Sequence, residues 1–138
     1  MKSFKKSILA VGLTLGIIAS LGGSAFCDAK GPYEPATVSG YGAVACSDVT
    51  RYGGSAYTSY GGYASTLSVN STYISINTRT GVPKFETKSA GHYKNASVSF
   101  TVPAGSKSVS IYSYHKIVAG AQNWSVETFD DNDAVGNR

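Results

Sequence analysis

The chain has 138 residues, with 12 Lys+Arg against 8 Asp+Glu, 2 Cys and 16 Gly. That length allows a single domain, and 42% apolar residues with 10 Tyr exclude a disordered chain. Only 14% of residues are charged, against roughly 25% in ordinary soluble proteins, and length and composition together exclude a coiled coil, a large enzyme and a multi-spanning membrane protein.

Residues 1–29 read as a secretory signal peptide. Lys2, Lys5 and Lys6 form a positive start, residues 7–21 an apolar stretch, and Gly22, Gly23, Ser24 and Ala25 a small-residue cleavage region. The apolar stretch is short of the roughly 20 residues of a membrane span, so no transmembrane segment is expected in the mature chain. Cleavage after Ala25 or after Ala29 fits the pattern equally. If Cys27 is retained, it can pair with Cys46 in an oxidising exterior, closing a loop worth roughly 3 kcal/mol. From Lys30 onward nine basic and seven acidic residues remain, leaving a charge of +2 that is spread singly along the chain. Such a distribution argues against nucleic acid as a partner.

Residues 30–35 contain two prolines and a glycine and read as an extended lead-in. Residues 37–50 read as a first strand pair. Residues 51–65 hold a degenerate eight-residue repeat, Tyr52-Gly-Gly-Ser55-Ala56 and Tyr60-Gly-Gly-Tyr63-Ala64, which reads as two turns or bulges flanked by Tyr. Leu67, Val69, Tyr73, Ile74 and Ile76 then mark two strands, with Asn70-Ser71 as the turn between them. After Gly81-Val-Pro83, residues 84–89 form a short strand around Phe85. Ala96, Val98, Phe100 and Val102 alternate with polar residues, as do Val109 and Ile111 beyond Pro103-Ala-Gly105-Ser106, which predicts a hairpin. Trp124, Val126 and Thr128 mark a last strand, and residues 130–138 a polar tail. No apolar period of 3.6 is present. The expected fold is all-β: a small antiparallel β-sandwich or barrel of six to eight short strands, as one domain over residues 30–129.

Catalytic material is sparse. No nucleophile elbow, zinc signature or phosphate loop occurs. A hydrolase would draw on Cys46 or a serine with His92 or His115 and Asp48; the plainer reading makes both histidines hydrogen-bonded residues at the sheet surface. Glu86 and Glu127 are the one strand-borne carboxylate pair for glycoside cleavage. Asp130, Asp131, Asn132 and Asp133 offer oxygens to calcium, but lack the loop pattern of a calcium site. No catalytic residue, metal or cofactor is assigned. The Tyr set is the informative feature, because Tyr52, Tyr57, Tyr60, Tyr63, Tyr93, Tyr112 and Tyr114 exceed what one small core needs. A Tyr ring joins a large apolar face to a polar tip and suits sugar stacking or partner contact.

Ser55-Ala-Tyr57-Thr-Ser-Tyr60, Ala90-Gly-His-Tyr93-Lys-Asn-Ala-Ser-Val98 and Ser108-Val-Ser-Ile-Tyr-Ser-Tyr114 together resemble the lactococcin-type non-lantibiotic bacteriocins. Those are small secreted β-sandwich proteins whose founding member binds the cell-wall precursor lipid II and blocks septum formation. The resemblance spans residues 55–114. The Trp/Gly-rich start of the family is replaced here by Tyr41-Gly42, and the chain continues past Tyr114. The resemblance implies binding residues at Tyr57, Tyr60, Tyr93 and Lys94.

The reading of the sequence is therefore a secreted, extracellular protein of a Gram-positive bacterium. It acts without catalysis as a bacteriocin-like antimicrobial, binding a cell-wall precursor or surface glycan through a Tyr-rich face. An adhesion or carbohydrate-binding module without toxicity is the alternative, and a small secreted hydrolase the second.

Overall fold

The computed structural model describes residues 33–131, which form eight antiparallel strands in two packed sheets, with no helix and no closed barrel. The strands are β1 (Tyr33–Val38), β2 (Tyr41–Thr50), β3 (Gly53–Tyr60), β4 (Thr66–Asn77), β5 (Pro83–His92), β6 (Asn95–Thr101), β7 (Ser106–Ala119) and β8 (Gln122–Asp131). One sheet has the order β1-β2-β3-β6 and the other β5-β4-β7-β8. The expected signal peptide and Cys27 lie outside the described residues.

Alternation along the strands decides the layers. Ala43 and Val49 of β2, Ala56 of β3, and Ala96, Val98 and Phe100 of β6 face Leu67, Val69 and Tyr73 of β4 and Ile111 and Ile117 of β7 in one core. Small residues on β2 and β3 let the sheets approach, and Tyr73 and Phe100 stack across the gap at 5.3 Å.

Four expectations are corrected. Asn70-Ser71 is not a turn, because β4 runs unbroken through it: Asn70 faces solvent, while Ser71 is buried and bonded to Ser113 at 2.7 Å, which satisfies its hydroxyl inside the sandwich. β6 and β7 are not a hairpin, since β6 pairs with β3 and β7 with β4 and β8; residues 102–105 cross between layers. The tail begins later than expected, as Asp130 lies in β8, is buried and accepts the Val49 N–H at 2.7 Å. Finally, a register shift at Ile74/Ser75 brings Ser108 inside, where it meets the Tyr73 hydroxyl at 2.6 Å, and leaves Val109 half-buried.

His115 also departs from expectation: it is fully buried, not at the surface. Its Nδ1 lies 2.8 Å from Thr58 Oγ1, and Thr58 spends its own proton on the Ser68 carbonyl at 2.9 Å. Thr58 therefore accepts from Nδ1–H, and Nε2 of the neutral ring accepts from Thr128 at 2.8 Å. Burial without a countercharge lowers the His115 pKa to about 3. Thr128 Oγ1 also lies against Ser47 Oγ, and Ser47 donates to Ser113 at 2.7 Å, so a seam of hydroxyls runs between the two sheets.

Candidate functional site

Both connections that carry the chain between sheets at one end of the sandwich hold exposed aromatic residues. Residues 61–65 lead from β3 to β4, and Tyr93-Lys94 leads from β5 to β6. Neither segment can pair regularly, because its flanking strands belong to different layers, so its backbone groups bond each other. Ala64 N–H donates to Tyr93 O at 2.9 Å and Tyr60 N–H to Lys94 O at 2.9 Å. These two bonds set Tyr63 beside Tyr93.

The rings of Tyr63 and Tyr93 stack at 5.6 Å with an interplanar angle of 19°, and His92 stacks on Tyr93 at 4.1 Å. Lys94 Nζ lies 4.9 Å from the Tyr63 ring centre. Tyr63 is 74% exposed and Tyr93 51%. Tyr41, also exposed, stands at the same end, with its ring edge-on to Tyr60 at 6.1 Å. The β1–β2 turn beside it is tight, with Ser39 at φ 48° and Gly40 at φ 82°, and Ser39 Oγ donates to Ala119 O at 2.8 Å. A rigid end of this kind presents aromatic faces with a cation beside them, which suits a ligand carrying apolar C–H faces and an anionic group.

The four residues implied by the resemblance divide. Tyr93 and Lys94 belong to this cluster. Tyr60 is 4% exposed, points inward and donates to Val38 O at 3.0 Å, with Gly62 lying against its ring. Tyr57 is 8% exposed and faces the outer side of its sheet beside Cys46. Neither offers a free ring face, so the site is Tyr63, His92, Tyr93 and Lys94. Tyr63 was legible as a Tyr in a Gly-flanked connection, which has no neighbouring strand to bury it. His92 joins only through the stacking that the turn imposes.

Other expected groups are apart. Glu86 and Glu127 sit on β5 and β8, the two edges of one sheet, separated by three strand spacings or about 14 Å, beyond the reach of a glycosidase pair. Cys46 lies on the outer face of its sheet whereas His115 is inside, so they do not meet. Cys46 is buried and not free, and the expected Cys27–Cys46 pairing falls on a cysteine outside the described residues. Among the described residues, no group of His, Cys, Asp and Glu is placed to hold a metal, and no helix is long and apolar enough to cross a membrane. Comparison with family models, curated proteins and solved structures finds no match to the chain.

Proposed function

We propose that the protein is a secreted, non-catalytic binder of the bacterial cell envelope, bacteriocin-like in action, that engages a cell-wall precursor or surface glycan through the aromatic end of the sandwich. The observation that carries this reading is the Tyr63–Tyr93–His92 stack with Lys94 beside it. Exposed rings cost apolar hydration, and stacking them on one another limits that cost without hiding them. A sugar ring laid on Tyr63 would release the remaining apolar water. The Lys94 ammonium would meet a phosphate or carboxylate of the same ligand. A bound envelope precursor is withdrawn from wall synthesis, which inhibits growth without any bond being made or broken.

The test is co-sedimentation of purified mature protein with isolated cell-wall sacculi and with lipid II vesicles, beside growth inhibition of Gram-positive strains. Tyr63→Ala/Tyr93→Ala is expected to lower binding at least tenfold and to abolish inhibition while the melting temperature holds within a few degrees. Binding by that variant equal to the parent would overturn the site. Binding without inhibition of any strain would favour the adhesion module.

A further inference from the structure

The far end of β3 repeats the chemistry of the near end. β3 is bounded by Tyr52-Gly53-Gly54 at its start and Tyr60-Gly61-Gly62-Tyr63 at its finish, so the degenerate repeat seen in the sequence marks the two ends of one strand. At the near end an exposed Tyr sits in an inter-sheet connection with Lys94 over its ring. At the far end Tyr52 is 67% exposed, Arg51 Cζ stands 4.7 Å from its ring centre, and Arg51 Nη2 donates to its hydroxyl at 2.5 Å. Its backbone is tied to another inter-sheet connection, with Val102 N–H donating to Tyr52 O at 2.9 Å.

Beside Tyr52 the surface opens into a depression of about 210 Å³ whose walls include Asp48, Thr50, Tyr52 and Ser55. Register explains why these side chains converge. Asp48 pairs with Ser55 and Thr50 with Gly53 across β2 and β3, so all four positions share the outer face. Gly53 leaves that face bare, and it is obligatory: a Cβ there would lie 1.9 Å from the Phe100 carbonyl oxygen. The depression is smaller than the roughly 300–1,000 Å³ of sites for drug-sized ligands, and so fits a single ring. Its polar lining is one carboxylate and two hydroxyls, groups that pair with the hydroxyls of a sugar, while Tyr52 supplies the apolar wall.

We propose that this depression is a second sugar-ring site and that the protein is bivalent, holding two envelope glycan segments about 25 Å apart across the length of β3. The ligand class rests on the function proposed above, but the second site rests on its own cavity and residues. Linking two weak sites on one rigid strand raises avidity for a polymer far above the affinity for a fragment.

The experiment is titration calorimetry with chitotetraose, an N-acetylglucosamine oligomer, alongside turbidity with isolated sacculi. Wild type is expected to bind two oligomers and to cluster sacculi. Tyr52→Ala, and independently Ser55→Tyr, which fills the depression from an exposed position, are each expected to bind one oligomer and to attach without clustering. Tyr63→Ala/Tyr93→Ala is expected to do the same from the other end. A wild-type stoichiometry of one, lost in Tyr63→Ala/Tyr93→Ala and indifferent to both far-end variants, overturns bivalency and leaves the near-end site standing. A stoichiometry of one that Tyr52→Ala abolishes and Tyr63→Ala/Tyr93→Ala preserves overturns the near-end site instead. No binding by wild type at millimolar oligomer overturns the sugar assignment at both ends.

Discussion

Protonating His115 puts a charge where no solvent reaches, between hydroxyls already committed to other partners. Its folded-state pKa of about 3 lies below the ordinary 6.5, so the neutral ring is the one the fold accommodates. The sign follows from linkage: the unfolded chain binds the extra proton first, so the stability this group supports is intact above about pH 6.5 and is lost as pH falls toward 3. At the lower limit the loss is on the order of 4 kcal/mol. Urea unfolding of wild type from pH 7 to 4 is expected to lose stability steeply, and His115→Gln, which keeps hydrogen-bonding groups but does not titrate, is expected to show a shallower dependence. Equal slopes would remove His115 as the cause. Tyr112 shifts the other way: burial first, then its hydrogen bond to Glu127, push its pKa up to about 12.

Strand β3 is the element on which both candidate sites depend, and its glycines are fixed by two different neighbours. Gly53, at φ 156°, approaches the β6 backbone too closely for any side chain, while a Cβ on Gly54 would meet the Tyr73 ring at 2.9 Å. Gly53→Ala must push β3 away from β6 and is expected to cost about 3 kcal/mol, read as a lower urea midpoint. The same shift should also weaken the far-end site. Unchanged stability would mean that the two backbones can part without penalty. β5 contrasts with β3, being exposed along almost its whole length, with Lys84, Glu86 and Lys88 at its edge. Lys88 reaches over Phe100 at 5.0 Å and donates to Ser99 O at 2.7 Å, closing the open side of the sandwich with an aliphatic stem and a charged tip. Charged edges of this kind also discourage strand-to-strand aggregation.

At the scale of the whole molecule, the two layers are joined by crossings at both ends, and Tyr63 and Tyr93 stand exposed in the two crossings of one end. Many of the layer-to-layer contacts require strands distant in sequence to meet, as with Ser47 and Ser113 or Val49 and Asp130. Such a topology closes long loops before the contacts reward it. Stopped-flow refolding of the protein is therefore expected on the millisecond-to-second scale. Microsecond refolding would contradict the non-local character of the core.

The all-β class followed from the sequence because alternation of apolar and polar residues is a local property: Ala96, Val98 and Phe100, or Trp124, Val126 and Thr128, declare a strand face without reference to anything else. Turn chemistry at Gly81 and Gly105 is equally local. Sheet membership is not. Nothing between Val102 and Ser106 distinguishes a hairpin turn from a crossing between layers, since both need the same few polar and turn-forming residues. Buried polar groups misled for the same reason. Asn70-Ser71 and His115 read as turn and surface until partners on other strands, Ser113, Thr58 and Thr128, satisfy Ser71 and the His115 ring inside the sandwich. The Tyr excess was plain in the composition, but which rings stay open was decided by tertiary structure. Tyr60, at the end of a strand, turns into the core and Tyr63, three residues later in a crossing, cannot.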